Sequence, residues 1–494
     1  MTNTAHGMSR MDMFMAECLS KHALNDPRPL PQVFGYLLGE NPVTGNLSTA
    51  HIVDAFDKLV DSMRTKDVND GPADAGMTFF GQFVDHDITL DTTSAIGTVI
   101  DPRSIRNVRT PNLDLDCVYG DGPEASNFLY SADHETEGFL LFGREDNPYD
   151  LARNRQGRAL IGDFRNDENI IVSQVQGAFI CLHNILMTHM ATEDDAAHDI
   201  SECAHMGVRR DVWHKQLPPK LKGFEEVRRF IRLHYQWIVL NEMLPAFVDQ
   251  DDIDHALAHD IFPGAPMMPA EFSVAAYRFG HATVQPQYTL RHGEAPLDLF
   301  ALRGFGFRDP GATIEMAQFF GPKAQKALPV GTEMAETLFE LPDNIVGSGL
   351  EWDGHDIPVA QAKKLGLRNI LRDRSSMQLP SGQQMARHLG IPELPAPSQL
   401  TDKHITKTPL WFYCLHEAQQ SGKKRLSGVG GKIVASVFVR LLKEDPESIL
   451  NVHGFTPWSG FGKTCTMASV MQFVEKHRDH VRNRESLYCG PKQH

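Results

Sequence analysis

The sequence predicts a mainly α-helical protein built as one large domain with long ordered loops and little β structure. Three observations carry that reading. Apolar residues recur at intervals of three and four through several long segments, the spacing of a helix buried along one face. Sustained two-residue alternation, the mark of strands, is hard to find. The stretch from Asp91 to Gly157 is rich in Gly, Asp, Asn and Pro, a composition of turns rather than of a strand repeat.

The elements follow in order. Residues 1–70 read as an N-terminal extension packed on the core, with turn signals at Asp26-Pro27-Arg28-Pro29 and Glu40-Asn41-Pro42. Residues 71–494 read as the main domain, and helical periodicity begins around Thr78. Ile171, Val172, Val175, Ala178, Phe179, Leu182, Ile185 and Leu186 form one apolar stripe, with Asn166 and Asp167 placed to cap it. Val227, Phe230, Ile231, Trp237, Ile238 and Leu244 form a second helix, stopped near Pro245. A third, over Ile433 to Leu442, is opened by Gly430-Gly431 and closed before Pro446.

Composition removes whole classes of function. Lys+Arg number 48 and Asp+Glu 63, a net charge of −15, which disfavours binding to nucleic acid or anionic lipid. No uninterrupted apolar run reaches the roughly 18 residues of a membrane span. The N-terminal segment lacks a basic region ahead of a long apolar core, and the 7 cysteines are scattered without paired spacing. A cytoplasmic protein with reduced thiols is the expectation.

Chemistry concentrates in three segments. In Phe80-Gly81-Gln82-Phe83-Val84-Asp85-His86-Asp87, a helix would bring Gln82 and His86 onto one face, four residues apart, with Asp85 and Asp87 on opposite flanks. Taken alone, this reads as a solvated acidic face with an incidental histidine. Gly162-Asp163-Phe164-Arg165-Asn166-Asp167-Glu168-Asn169 crowds polar groups at the start of an apolar helix. Ordinary capping of that helix explains it as well as a site does. Tyr277-Arg278-Phe279-Gly280-His281-Ala282-Thr283-Val284-Gln285-Pro286 sets a histidine after a glycine that would let a flat cofactor or a helix approach.

Together these segments resemble the animal-type haem peroxidases of the peroxidase–cyclooxygenase superfamily, in particular their bacterial members. The matching residues are GQFVDHD (81–87), TPNLDLDCVYG (110–120), GDFRNDEN (162–169), LHN (182–184), RFGHATVQP (278–286) and RNILRDR (368–374). They occur in the family's order, and lesser likenesses such as HYQWIV (234–239) extend the cover to nearly the whole chain.

The resemblance implies a fold, a cofactor and a site. Gln82, His86 and Arg165 would form the catalytic face toward hydrogen peroxide. A neutral imidazole can take the peroxide proton and return it to the departing oxygen, and a permanent cation can stabilise the charge that builds as the O–O bond breaks. His281 would ligate the iron of haem b on the other face, donating its second nitrogen to the side-chain oxygen of Asn369. Arg278 and Arg372 would meet the haem propionates, and Asp85 and Glu168 stand where the family forms ester links to the porphyrin. Asp87, Thr110, Asn112, Asp114 and Asp116 would bind Ca²⁺, Asn112 through its backbone carbonyl. Asp116 stands where many relatives have Ser.

The electron donor implied is a small molecule or a halide. Departures from the family pattern narrow the expectation. Asn169 replaces the methionine of the sulfonium-linked member, so that link is excluded. Arg278 occupies the place of the radical tyrosine in cyclooxygenase-type relatives, with Tyr277 one step off. This counts against the alternative of a fatty-acid dioxygenase. A haem-binding adhesion protein would predict an RGD-type motif or repeat modules, which are absent from the sequence. A non-haem metalloenzyme is disfavoured because His183 and His189 are six apart rather than four.

Overall fold

The structure is a computed structural model, and it describes residues 34–38, 47–65, 69–89, 112–194, 221–346, 350–352 and 354–489. The main helices are α1 (Thr49–Asp61), α2 (Ala75–Ile88), α3 (Ile170–Asp194), α4 (Gly223–Ile238), α5 (Gln250–Ala258), α6 (Leu365–Leu371), α7 (Gly382–His388), α8 (Leu410–Ser421), α9 (Gly428–Glu444) and α10 (Met467–His477). Strand among the described residues is confined to four two-stranded pairs. Two are parallel, Phe34–Gly35 with Met268–Pro269 and Arg64–Thr65 with Met334–Ala335. Two are antiparallel, Gln287–Tyr288 with Leu297–Asp298 and Leu350–Trp352 with His355–Ile357. The mainly α architecture is the one the sequence predicts.

Helix α3 is the axis of the core. Its segment from Ile170 to His189 is long and apolar enough to cross a membrane by composition, and it is enclosed by protein throughout. The helices α2, α4 and α10 pack around it. Aromatic rings lock the crossing of α2, α3 and α4. Phe83 stacks on Phe179 with centroids 5.1 Å apart, Phe80 stacks beside both, and Tyr235 meets all three rings edge-on. Each such buried ring contributes on the order of 1.5–3 kcal/mol from area alone, with geometry adding to it. Helix α2 therefore has a fixed rotation about its axis, which decides where its polar residues point.

Four local expectations are corrected. The mixed reading of the first seventy residues missed α1, which Ser48 caps by accepting from the His51 N–H and which buries Ile52, Val53, Ala55, Phe56, Leu59 and Val60. Asn166 and Asp167 do not cap α3. Asn169 does, accepting from the N–H groups of Ile171 and Val172 at 3.0 and 2.9 Å. Helix α4 does not stop at Pro245 but continues through a wide π turn, Val239–Met243, into a last α turn, Leu244–Phe247. The wide turn accommodates a ring that a regular helix would reject. Gly430 and Gly431 lie inside α9, not at its start. A Cβ on Gly430 would crowd Cys414 of α8, and one on Gly431 would overlap Asp252 of α5. The glycines are there for packing, and Glu417 of α8 caps α9 through the N–H groups of Val429 and Gly430.

Candidate active site

The last turn of α2 meets the segment 163–169 that leads into α3. Asp163 accepts from the backbone N–H of Arg165 at 2.9 Å, which starts the 3₁₀ turn Phe164–Asp167. The same carboxylate pairs with the Arg165 guanidinium at 2.7 Å. Arg165 in turn donates to the carbonyl oxygens of His86, at 3.2 Å, and Thr89. One cation thus fastens its own segment to the end of α2. Gln82 reaches the same segment from one turn earlier, donating to Glu168 and accepting from Asn169 at 3.3 Å.

His86 is buried, with Nδ1 2.8 Å from Oδ1 of Asn166. Burial, reinforced by the Arg165 charge, pushes its pKa down to about 4, so the ring is neutral near pH 7. Glu168 keeps accessible surface, yet the surrounding protein pushes its carboxyl up to about 7 against the pull of Arg165. Asp85 accepts from the Thr89 hydroxyl at 3.1 Å on the neighbouring flank.

His281 sits on a 3₁₀ segment, Ala276–Thr283, that follows a π turn, Glu271–Ala275. That segment leans on α2 through Thr78 and Thr283, 2.9 Å apart, and through the Tyr277 hydroxyl donating to Gly81 at 3.1 Å. Nδ1 of His281 is 2.9 Å from the side-chain nitrogen of Asn369 on α6. The pairing of His281 with Asn369 is the expected one, but the amide presents Nδ2 where the sequence reading expected oxygen. A half-turn of the amide exchanges the two atoms. Burial, then the charges of Arg278 and Arg372, hold the imidazole pKa down at about 3. Gly280 faces open space rather than a neighbouring helix.

Next to His86, Asp87 points the other way into a cluster with Asp114 and Asp116, whose carboxylate oxygens lie within 4.8 Å of one another. Leu115 adopts a left-handed conformation, φ +63°, which turns the loop so that the carboxylates on either side converge. Asp87 accepts from Leu115 N–H at 3.1 Å, Cys117 N–H at 3.5 Å and the Tyr235 hydroxyl at 3.0 Å. Burial, then the Asp114 charge, raise its pKa well above the carboxylate range. Thr110 lies outside the described residues, and Asn112 is at their edge.

Several residues that shape this region were not singled out from the sequence. Asn166 was read as a helix cap, and Tyr235 lay in a lesser likeness. Arg153 carried no signal: it is almost fully buried and grips Asp167 with two bonds at 2.6 and 2.8 Å and Asp150 at 2.9 and 3.1 Å. Arg144 also pairs with Asp150, and the backbone N–H of Arg308 donates to it. The loop leading to Arg308 closes over the site segment, with Phe305 N–H donating to the backbone carbonyl of Asp167 at 2.7 Å. Only glycine fits at 304, where a Cβ would overlap the Asp167 carbonyl.

Comparison with known proteins gives this arrangement a family. Residues 92–406 match the family described as animal haem peroxidase. The fold is similar to peroxidase A from Dictyostelium discoideum, with a TM-score of 0.56 and 14% identity over 94% of this chain and 95% of that one. It is also similar to the fatty acid alpha-dioxygenase of Oryza sativa, with a TM-score of 0.54 and 15% identity over 91% and 82%. A segment of 105 residues is 29% identical to chorion peroxidase of Aedes aegypti, covering 19% of this chain and 13% of that protein. The chain belongs to the animal haem peroxidase family. GQFVDHD lies just before the matched range.

Membership implies haem, and the residues present fit one. With the Asn369 amide turned so that its oxygen accepts from Nδ1, the neutral imidazole of His281 leaves Nε2 free to ligate iron. Arg278 and Arg372 lie close enough to depress its pKa, and such cations suit the carboxylate substituents of a haem.

Arg153 provides a direct check of how segment 163–169 is held. Arg153→Met leaves Asp167 buried without its counter-charge and Asp150 with Arg144 in its place, a loss expected to reach about 3–5 kcal/mol. Denaturation midpoints should fall accordingly and recover in part when both aspartates are also changed to Asn. A wild-type midpoint in Arg153→Met contradicts the network.

Proposed function

We propose that this chain is a peroxidase that reduces hydrogen peroxide with electrons from a small-molecule or halide donor, using haem b. The observation that carries the reading is the meeting of Gln82 and His86 with Arg165 and Glu168, two segments nearly eighty residues apart joined by charge-assisted bonds. When bound, haem supplies the iron centre at which peroxide takes up two electrons. His281 would hold it through Nε2, with Asn369 turned to accept from Nδ1, and Arg278 and Arg372 would meet its propionates. Asp85 and Glu168 would reach its edge by hydrogen bond or by ester link, which acid–organic extraction of the pigment distinguishes.

The chain's own work is proton movement and charge. Nε2 of His86 takes a proton from one peroxide oxygen and delivers it to the other, which leaves as water. Arg165, its rotamer fixed by Asp163, supports the negative charge that develops in the O–O bond. Gln82 orients the peroxide or a water beside it. With two protons and two donor electrons, each peroxide yields two waters. The polar set of Gln82, His86 and Arg165 and the arginine at 278 favour peroxide reduction over fatty-acid oxygenation.

His86→Ala and Arg165→Leu are expected to bind haem yet react with peroxide about 10²-fold or more slowly, followed by stopped-flow absorbance. Near-normal rates in both variants contradict the assignment.

The Asp87, Asp114 and Asp116 cluster is the proposed Ca²⁺ site, to which the Asn112 carbonyl and Thr110 would add the ligands that the family resemblance implies. Three carboxylates this close repel one another, and a hard divalent cation with oxygen ligands relieves that repulsion. Ca²⁺ at a hundredfold excess over its Kd is expected to stabilise the protein by about 2.7 kcal/mol. Asp114→Ala with Asp116→Ala should abolish the shift in thermal midpoint. Identical midpoints in Ca²⁺ and in chelator contradict the site.

A further inference from the structure

Asn166 follows Arg165 in the 3₁₀ turn and is fully buried. Its Oδ1 lies 2.8 Å from Nδ1 of His86, and its Nδ2 donates to Oε1 of Gln176, on α3, at 2.8 Å. Gln176, also fully buried, donates Nε2 to the carbonyl oxygen of Cys117 at 3.2 Å. This chain of amides has a direction. A backbone carbonyl can only accept, so Gln176 turns its nitrogen to Cys117 and its oxygen to Asn166. Asn166 must then turn its nitrogen to Gln176 and its oxygen to His86. An amide oxygen also only accepts, so the hydrogen in that contact sits on Nδ1 of His86. A neutral imidazole with hydrogen on Nδ1 carries its lone pair on Nε2.

We infer that Asn166, locked by Gln176 against the Cys117 carbonyl, is the positioning residue that holds His86 in its Nδ1–H tautomer and presents Nε2 as proton acceptor. The inference rests on the reading of His86 as the base that faces peroxide. Nothing in the chain depends on which way a lone amide happens to be turned, because a carbonyl fixed in the backbone sets the far end. The lock also reaches beyond His86. The N–H of Cys117 faces Asp87 at 3.5 Å, so the peptide units that flank Cys117 connect the acidic loop to the tautomer of the histidine beside it.

The test is the rate of cyanide association with the ferric, haem-loaded full chain, measured beside the rate with peroxide. Hydrogen cyanide gives up its proton on binding, so its association reports the base without turnover. His86→Ala sets the floor. Asn166→Ala is expected to slow cyanide association about 10–100-fold at unchanged haem content. Gln176→Leu, which changes no bond to the ring itself, is expected to show a smaller loss in the same direction. In the His86→Ala background, Asn166→Ala should add nothing, whereas a residue that merely packs the turn would add its own loss. If His86→Ala leaves cyanide association unchanged, the reading of His86 and this inference fall together. If His86→Ala slows it and neither Asn166→Ala nor Gln176→Leu does, this inference alone is wrong. Should Asn166→Ala fail to take up haem, Gln176→Leu decides, and wild-type association in that variant overturns the proposal.

Discussion

The structure depends on pairing every polar group that segment 163–167 carries into the interior. Asp163, Asn166 and Asp167 are all buried, and an unpaired buried polar group costs about 1–3 kcal/mol, more if it is charged. Each has a dedicated partner: Arg165 for Asp163, His86 with Gln176 for Asn166, and Arg153 for Asp167. Because adjacent residues are tied in different directions, the turn can neither rotate nor slide. Arg165 and Glu168 inherit that rigidity, which is what a site built from two distant segments requires.

Helix α2 converts this rigidity into a junction. Phe80 and Phe83 fix its rotation against Phe179 and Tyr235, so the polar residues of its last two turns serve different neighbours. Gln82 meets Glu168, His86 meets Asn166, and Asp87 meets the acidic loop. Tyr235 belongs to both arrangements, since its ring packs on the phenylalanines and its hydroxyl donates to Asp87. A change in the acidic loop therefore reaches His86 through one helical turn and one amide chain.

What was legible in the sequence was what leaves a local pattern. The helix of Gln82 and His86, the apolar stripe of α3 and the spacing of Asp114 and Asp116 are all set by near neighbours. The pairing of His281 with Asn369, 88 residues apart, came from resemblance rather than from spacing. Helix α1 was hidden behind turn signals in the region before it. Arg153 with Asp167 was illegible because an ion pair across a loop has no periodicity, and a buried arginine looks like an exposed one in sequence. Asn166 was misread for a related reason: a short polar residue before a helix is most often its cap, and here Asn169 had that role.

The central claim is that His281 and Asn369 form the holding face for haem. The most direct measurement is titration of the purified chain with haem b, followed by absorbance, for wild type, His281→Ala and Asn369→Leu. The account predicts one haem per chain with a histidine-ligated ferric spectrum. It predicts loss of that spectrum in His281→Ala and a shifted spectrum in Asn369→Leu, where the imidazole loses its partner. Stoichiometric haem with a wild-type spectrum in His281→Ala would contradict it.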